Sequence, residues 1–511
     1  MSLDLSPPLK FPALHPALDR AQRLAPWVML ATLFAAALVQ RHLVFGSSDV
    51  TWLITADEKM LDGHPLYSEV LETNPPIAPL AYLPAVLIGR ALGIAAEQVT
   101  DGLVFLAAAV SLGAAVAMLR GSAAARTVNG WPMVLLAFAV LVILPGQTFG
   151  QREHIALIAI VPGLAAASLR AHGERPPLWA WAVAGLGCAV TLAFKPYFAA
   201  AVAAGPLVAA LRQRSLRVLL APENFIAAVA LLAYAVCSAL LFPAYFTDVL
   251  PLVRDVYLKL HHSFAEMLTS APSAPMYIFY AALITAWLFG RGHRGIQQNL
   301  AILASAASGF ALAYVAQRKG WPYQAYPMLA VTMLAVGAAL LRRPDATGSP
   351  PRAGLLVHVA FGLQFLAALL WFNHVLEIRE VVGPVGKLVP HPKLLALSGD
   401  PGFGHPLVRM LGGTWVSRQQ ALWVHLYADY LKRQGGLSAD ELARIDAQVA
   451  RERANLIADF KRQPPDVIIV DTDTDNWRLW VDGDDEMIAL LAPYRRVASI
   501  DGVADILQRV D

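Results

Sequence analysis

Three consecutive ionisable residues interrupt two long apolar stretches of the sequence. Arg152, Glu153 and His154 follow WPMVLLAFAVLVILP and precede IALIAIVPGLAAASL. Ionisable residues at membrane depth are costly, so a functional role is the first hypothesis for this turn. A guanidinium can bind phosphate, a carboxylate can shape a substrate site, and an imidazole can move a proton or bind a metal. An interfacial ion pair, a carboxylate favoured at a helix start and a histidine held by packing are the structural alternatives.

A second candidate for chemistry is Asp49, which directly follows the first long apolar stretch. A carboxylate at a membrane rim can act as a general base toward a hydroxyl or an amine, although it can also be an ordinary helix-end residue. The next segment, TWLITADEKMLDG, has amphipathic helical spacing, with Trp52 on the apolar side and Asp57 and Glu58 largely on the other. We expect this helix to lie along the surface, where Asp57, Glu58 and His64 line a substrate entrance or simply form a polar face.

Further cations stand at the ends of later apolar stretches. Lys195 lies in FKPYF, and Arg318 and Lys319 lie in QRKGWPY, among several aromatic residues. Arginine binds an anion as a bidentate fork and lysine as a point charge, so these residues predict a phosphate site, with Tyr323 as an additional contact. Snorkelling of the long side chains to the interface is the alternative.

These residues belong to a chain of 511 residues, of which 57% are hydrophobic and 15% are charged. Soluble proteins carry about 25% charged residues. Apolar runs of about 16–22 residues recur along the chain, close to the length that crosses ~30 Å of hydrocarbon. The composition therefore predicts a polytopic membrane protein. The formal charge of +3, without a basic stripe interleaved with aromatic residues, argues against a nucleic-acid partner.

Eleven segments are predicted to cross the membrane within a transmembrane domain over 27–389. They are 27–45, 102–119, 132–146, 155–170, 178–194, 197–211, 223–242, 276–290, 298–316, 325–341 and 354–373. The stretch 75–93 is excluded because its four prolines and Arg90 favour a helix at the interface. With this assignment every loop on one side carries at least two positive residues, which the positive-inside rule places in the cytoplasm. We expect a cytoplasmic N-terminus (1–26), an outer first loop (46–101) and an outer C-terminal domain.

From about residue 390 the composition becomes that of a soluble domain. The segments KLLALS (393–398), DVIIVD (466–471) and RVASI (496–500) predict short buried strands. The segment 438–463 predicts a helix, in which Ser438 and Glu441 are spaced as a capping box. Strands alternating with helices indicate a small α/β domain over 390–511.

The order of these features resembles the GT-C glycosyltransferases. An Asp follows the first span, an amphipathic helix ends in GHPLY, and NPPI opens another interfacial helix. More narrowly, the pattern is similar to the bacterial relatives of the protein O-mannosyltransferases and of the lipid A aminoarabinose transferase. An acidic residue in the second outer loop, further spans and a C-terminal domain continue the likeness, whose specific motifs are confined to 49–84 and 146–154.

The resemblance implies a transferase of the bacterial inner membrane that acts on the periplasmic face. It would move a sugar, with inversion, from a polyprenyl-phosphate donor to an envelope acceptor, which in this family is lipopolysaccharide, a glycan or a protein. Asp49 matches the family's catalytic Asp and is the expected general base, with Glu153 and His154 as further catalytic candidates. Membrane lipids would be its other partners.

Two departures from the family pattern change the expected donor site. Many relatives have an acidic residue directly after the catalytic Asp, where this chain has Val50. The aminoarabinose transferases place a phosphate-contacting Lys before Pro-Pro, where this chain has Asn74. The donor phosphate is therefore expected to find other groups. These are Arg152, Lys195, Arg318, Lys319 and Tyr323.

Other site residues and function classes remain open. His261 and His262, in VYLKLHHSFAEM, are candidates to line the substrate site together with Asn74, although a solvated loop pair is the simpler interpretation. No cofactor is assigned with certainty, because one carboxylate and one imidazole are a thin ligand set for a divalent metal. A transporter or flippase of lipid-linked sugars would distribute charges through its spans, and a noncatalytic partner in envelope-glycan assembly would bind through its C-terminal domain. The gathering of ionisable residues at one face favours the enzyme.

Overall fold

The computed structural model describes residues 16–44, 46–291, 294–343, 354–373, 379–473 and 477–510. Part of the predicted cytoplasmic segment 1–26 lies outside these ranges. The helices that precede the C-terminal sheet are α1 (Pro16–Leu43), α2 (Ser48–Leu61), α3 (Ile77–Leu80), α4 (Leu83–Leu92), α5 (Ala96–Leu119), α6 (Ala123–Arg126), α7 (Gly130–Val142), α8 (Arg152–Ala171), α9 (Leu178–Phe194), α10 (Ala199–Gln213), α11 (Pro222–Leu241), α12 (Leu250–Asp255), α13 (Phe264–Thr269), α14 (Ala274–Gly290), α15 (Arg294–Gln317), α16 (Tyr326–Leu340), α17 (Leu355–Phe372) and α18 (Arg379–Leu388).

Each of the eleven predicted spans coincides with a helix. Among the described residues, eight helical segments are long and apolar enough to cross a membrane. Three further helices are shorter: α7 has 13 residues, α9 has 17 and α10 has 15. The polytopic architecture is confirmed, and the number of eleven spans stays a prediction.

The stretch 75–93 does not cross the bundle. It forms the short helices α3 and α4, and the chain on both of its sides meets one side chain. Arg409 forms ion pairs with Glu58 before the stretch and with Glu97 after it. Because the chain enters and leaves this stretch at the same end of the bundle, its exclusion from the predicted spans is confirmed.

The end of the bundle that carries the C-terminal sheet is called the domain end, and the other is the opposite end. At the opposite end, the loops before α7 and after α16 pair through their backbones. Asn129 N–H donates to the Leu341 carbonyl and Arg343 N–H donates to the Thr127 carbonyl, both at 2.8 Å. These two loops were predicted to share the cytoplasmic side, so the structure confirms that they share an end. The compartment that each end faces stays a prediction.

The centre of the bundle is formed by α8 and α16. Of the apolar stretch of α8, 72% is buried, and of the stretch Pro322–Leu340, which contains α16, 89% is buried, against 11% for the peripheral α11 and α17. Small residues allow the helices to approach closely, as in other membrane bundles. At Gly187 of α9 a Cβ atom would lie 2.0 Å from the Ala159 carbonyl of α8. The start of α8 is therefore held inside the protein rather than against lipid.

The C-terminal region forms a five-stranded sheet within the described residues. Its strands are β1 (Lys393–Leu397), β2 (Thr414–Trp415), β3 (Val467–Asp471), β4 (Tyr494–Ile500) and β5 (Ala504–Arg509), and its helices are α19 (Leu407–Met410), α20 (Trp423–Gln434), α21 (Ala439–Arg462), α22 (Trp477–Asp482) and α23 (Asp485–Leu491). The strand order is β2-β1-β3-β5-β4, with β1 parallel to β2 and β3, and β5 antiparallel to β3 and β4. The α/β prediction and the Ser438–Glu441 capping box are confirmed. The strands β2 and β5 were not predicted.

The first-loop helix α2 lies under the C-terminal domain and not on the surface. All residues from Val50 to Asp57 are buried. Lys59 donates to the Ser417 carbonyl at 2.9 Å, and the Gln420 side chain donates to the Ser48 carbonyl at 3.1 Å. The expected polar outer face is therefore wrong for Asp57, because the domain covers the side of α2 that faces away from the bundle.

Arg409→Gln tests the bond between the domain and the first loop. Arg409 donates to both oxygens of Glu58, at 2.6 and 2.9 Å. Its loss leaves partly buried carboxylates without a counter-charge, which should cost about 1–3 kcal/mol of stability. We expect the melting temperature of the purified protein to fall by several degrees. The control is Arg433→Gln, which removes an exposed pair with Asp429. Equal melting temperatures for the two variants would contradict a stabilising role for the ion pairs of Arg409.

Candidate active site

The turn before α8 lies at the domain end of the bundle. Gly150 has a φ of +77°, a conformation that glycine adopts without steric cost. The helix then starts at Arg152, which is 5% exposed, and the next residue, Glu153, is completely buried. The turn therefore presents its charged residues to the protein interior, where each of them needs a partner.

Arg152 connects α8 to the first loop. Its Nη2 donates to Oδ2 of Asp49 at 3.0 Å, and its Nη1 donates to Oδ1 of Asn74. Its buried Nε has no acceptor among the described residues. The Asp49 side chain is 22% exposed, so its second oxygen can be reached by a substrate while Arg152 holds the first. The arginine thus orients a carboxylate and keeps one donor available.

Asn74 is itself positioned by buried groups of the first loop. Its backbone N–H donates to Oε1 of Glu72 at 2.7 Å, and its side-chain amide donates to the same oxygen. The other Glu72 oxygen accepts from Trp52 Nε1 at 2.5 Å, and the Tyr67 hydroxyl donates to the Asn74 carbonyl at 2.8 Å. Desolvation raises the pKa of Glu72, while the Arg152 charge opposes that shift. An amide oxygen suits this place because a lysine there would put a second cation beside Arg152.

Lys195 meets the same site from the turn between α9 and α10. Its Nζ forms an ion pair with Glu153, donates to Oε1 of Gln317 at 3.1 Å and lies 5.5 Å from the centre of the Tyr323 ring. Burial lowers the pKa of Lys195, while the Glu153 and Asp49 charges oppose that shift. The predicted residues Asp49, Glu153, Lys195 and Tyr323 therefore share one site.

Lys319 contributes a cation without a counter-ion. It is 9% exposed and, within the described chain, forms no ion pair with a carboxylate. Its Nζ donates to the Tyr257 carbonyl at 2.6 Å and to the Leu260 carbonyl, and it lies 4.2 Å from the centre of the Tyr257 ring. Burial lowers its pKa to about 8. A charge kept in such a place favours the binding of an anion.

His154 does not join this site. Its Nδ1 accepts from the Gly150 N–H at 2.9 Å, and its Nε2 lies 2.7 Å from the Leu141 carbonyl, to which it donates in that tautomer. Its ring packs between Phe149 and Tyr326, at centroid distances of 4.8 and 5.2 Å. Both nitrogens are occupied, so the packing alternative describes its geometry better than a proton carrier or a metal ligand.

Arg318 and the predicted histidines of the outer loops also lie apart. Arg318 turns toward the long loop, where its Nη2 lies 2.9 Å from His261 Nε2 and its guanidinium stacks on Phe264. His262 lies 3.8 Å from Glu266. His64 pairs with Glu69 at 2.8 Å near the surface. The Arg318–His261 contact joins two loops, whereas the His262 and His64 contacts are local to their own segments, and in the part of the chain that the structure describes none of these residues contacts Asp49 or Arg152.

The two acidic residues of α2 do not line an entrance either. Glu58 is bound by Arg409, as described above. Asp57 is completely buried, and neither of its oxygens has a hydrogen-bond partner among the described residues. Burial raises its pKa to about 8, and the nearby Glu58 and Glu72 add to the shift.

Sequence reasoning missed several residues of the site. Glu72 and Gln317 hold Asn74 and Lys195 in place, and Tyr257 holds Lys319. The sequence did offer a sign of Glu72, because it stands two residues before Asn74, the position at which this chain departs from the family pattern. For metal binding, the described residues contain no group of three or more His, Cys, Asp or Glu side chains that could hold an ion.

No protein-family model matches the chain, and no curated protein matches it by sequence. Solved structures do. The crystal structure of ArnT from Cupriavidus metallidurans bound to undecaprenyl phosphate has a TM-score of 0.54 and 14% identity, covering 94% of this chain and 97% of ArnT. The apo structure of the same protein has a TM-score of 0.55 and 14% identity, covering 95% and 98%. The fold is ArnT-like.

The GT-C fold expected from the first-loop motifs is thereby confirmed over nearly the whole chain. The cryo-EM structure of the arabinofuranosyltransferase AftD from Mycobacteria also matches, with a TM-score of 0.46 and 13% identity over 96% of this chain and 40% of AftD.

Asp57→Asn tests whether the buried Asp57 carboxyl keeps its proton in the folded protein, through the pH dependence of the melting temperature. The folded protein keeps the Asp57 proton up to about pH 8, whereas the unfolded chain releases it near its ordinary pKa of about 4. Between these limits a rising pH destabilises the folded state by up to about 1.4 kcal/mol per pH unit. We expect Asp57→Asn to melt at a higher temperature than the parent at pH 8 and at the same temperature near pH 4. The exposed Asp482→Asn serves as control, and a pH-independent difference would contradict the buried acid.

Proposed function

We propose that the chain is a glycosyltransferase that moves a sugar from a polyprenyl-phosphate donor to an acceptor at the domain end of the bundle. The observation that carries this proposal is the pair formed by Arg152 and Asp49, in which the arginine orients a partly exposed carboxylate at the rim of the helical bundle. Lys195 and Lys319 place positive charge in the same region. The bound lipid of the similar ArnT structure, undecaprenyl phosphate, is a ligand of the proposed class.

Asp49 is the proposed general base. Arg152 occupies one of its carboxylate oxygens, and the other is free to accept a proton from an acceptor hydroxyl or amine. A positioned base contributes about 10²–10⁴-fold to such a step. Its place in the first turn of α2, after the Ser47 cap, also suits a carboxylate because the helix dipole is positive there.

The donor phosphate is proposed to bind between Lys195, Lys319 and the free Nε–H of Arg152. Lys319 has no counter-charge to displace, and Lys195 already bridges to Glu153 and Tyr323. Cations around a leaving phosphate stabilise the charge that develops as its bond to the sugar breaks. Arg318, which faces His261, is left out of this set.

The reaction is a single displacement. The acceptor oxygen or nitrogen forms a bond to the anomeric carbon as the bond from that carbon to the phosphate oxygen breaks. The acceptor proton passes to Asp49, and the electron pair stays on the polyprenyl phosphate. A direct displacement inverts the anomeric configuration. With the sidedness expected from the loop charges, this chemistry lies at the periplasmic face of a bacterial inner membrane.

Asp49→Asn is the direct test of the base. We expect transfer to fall by about 10²-fold or more, because the amide cannot take up the acceptor proton. The assay follows radiolabelled sugar from undecaprenyl-phosphate mannose, glucose and arabinose into envelope acceptors. Asp62→Asn, an exposed carboxylate at the far end of α2, is the matched control. Parent-like transfer by Asp49→Asn would remove the catalytic assignment, and lipid-sugar flipping without transfer would support a transporter.

The cation site is tested by the affinity for undecaprenyl phosphate. Each charge-assisted hydrogen bond is worth about 1.5–3 kcal/mol, so Lys319→Gln should weaken binding by about tenfold to a hundredfold. Lys195→Gln would leave Glu153 buried and unpaired. The double variant Lys195→Gln/Glu153→Gln therefore removes both charges together, with the same expected loss. Exposed Lys461→Gln is the control. Unchanged affinity in both site variants would contradict the proposed phosphate site.

A further inference from the structure

A row of five aromatic rings runs through the proposed donor site toward the C-terminal domain, and Lys319 lies against two of its rings. It begins at Tyr323, whose ring faces Lys195. Neighbouring ring centroids lie 5.7 Å apart from Tyr323 to Trp321, 6.0 Å from Trp321 to Tyr257, 5.9 Å from Tyr257 to Trp423 and 5.6 Å from Trp423 to Tyr427. The first two rings belong to the loop before α16, the third to the long loop after α12, and the last two to α20. Three separate parts of the chain therefore build one continuous surface, here called the aromatic row.

The members of the aromatic row are neither core residues nor fully exposed ones. Each of the five side chains is half-buried. Within the described residues, none of the three tyrosine hydroxyls and neither of the two indole N–H groups forms a hydrogen bond with the protein, whereas Trp52 Nε1 and the Tyr67 hydroxyl do. Buried Tyr and Trp side chains usually find a partner for their polar tips. Five free polar tips beside five apolar faces indicate a ligand that offers both apolar faces and hydroxyl groups.

The row also runs close to the proposed base. The Asp49 charge contributes to raising the pKa of Tyr257, after burial and Tyr427. It contributes likewise to Tyr427, whose pKa burial raises to about 12. The Gln420 side chain, three residues before Trp423, donates to the Ser48 carbonyl at 3.1 Å, which brings the chain just before α20 next to the residue that precedes Asp49.

The far end of the row opens into a cleft between the first loop and the C-terminal domain. The cleft opens to solvent. Beside the apolar residues Leu71, Val249, Leu252 and Val424, Trp423 lines it together with amide and carboxylate side chains. They are Glu72, Gln419, Gln448, Glu452 and Asn455. Glu72 also supports Asn74 and through it Arg152, so one residue connects the cleft with the catalytic pair.

We propose that the aromatic row and this cleft bind the acceptor, and that the acceptor is a glycan chain whose sugar rings stack on the row while its terminal hydroxyl reaches Asp49. This inference rests on the proposed transferase function and adds the chemical class of its acceptor. Sugar rings have an apolar face and a rim of hydroxyls, which matches the rings and their free polar tips. An acyl chain would leave all five tips without partners. The C-terminal domain thereby supplies half of the acceptor site.

The test measures binding to the full-length protein in nanodiscs by saturation-transfer NMR. The probes are neutral oligosaccharides of α-glucan, β-glucan and arabinan type, a Ser/Thr-rich peptide, and lipid A vesicles. We expect at least one oligosaccharide to bind, and Trp423→Leu to weaken that binding about twofold to tenfold, since loss of a stacked ring is worth about 0.5–1.5 kcal/mol. Trp423→Tyr should restore most of the affinity. Trp179→Leu, at an exposed tryptophan outside the row, should leave the Kd unchanged.

Failure of this inference is distinguishable from failure of the proposed function, because undecaprenyl phosphate binding is measured on the same samples. If the lipid phosphate binds and all three oligosaccharides do not, the glycan acceptor is wrong while the donor site stands. Binding of the peptide or of lipid A that depends on Trp423 also overturns the glycan assignment. If the unaltered protein does not bind undecaprenyl phosphate, the result would instead count against the proposed transferase function. Thermal melting of each variant identifies a folding defect, and Tyr427→Leu provides a second position in the row.

Discussion

The structure of the site depends on one buried cation, Arg152. A guanidinium at the start of a buried helix cannot remain without counter-charges, because the cost of an unpaired buried charge is several kcal/mol. Its partners come from two separate points of the first loop, Asp49 and Asn74. The start of α8, the start of α2 and the Asn-Pro-Pro turn are thereby fixed to one another. The proposed general base and the proposed phosphate-binding groups are brought together because this arginine contacts both parts of the loop.

The C-terminal domain completes what Arg152 begins. Arg409 and the Gln420 side chain fasten the domain to both ends of α2, and Trp423 extends the ring row from the helical bundle onto the domain. The domain thereby covers α2, whose residues from Val50 to Asp57 are buried. The domain is therefore part of the site rather than an appendage to the membrane helices.

The sequence predicted the helices and the main charged residues of the site for a physical reason. The length of the apolar runs and the charges between them reflect the bilayer directly. The sequence could therefore predict the apolar helices and place Asp49, Arg152 and Lys195 at the same end of the bundle. The burial of Asp57 was not predicted, because amphipathic spacing in a helix indicates a single buried face and assigns the other face to solvent. Here the C-terminal domain supplies a second partner surface, on which Arg409 binds Glu58 from 351 residues away.

Pairing across the chain explains the other differences. His154 and Arg318 looked chemically available, yet local backbone groups and the long loop take up their polar atoms. The strand β5 escaped prediction because three of its six residues carry polar or charged side chains, and its place beside β3 depends on long-range pairing. Composition reveals which residue types are present, whereas the partner of each one is decided by the fold.

The most direct measurement is a structure of the full-length protein with undecaprenyl phosphate. We expect the phosphate to bind at the domain end, within hydrogen-bond distance of at least two of Arg152, Lys195 and Lys319. The exposed oxygen of Asp49 should face the space beside it. A phosphate bound at the opposite end of the bundle, or one that contacts none of these cations, would contradict the proposed donor site.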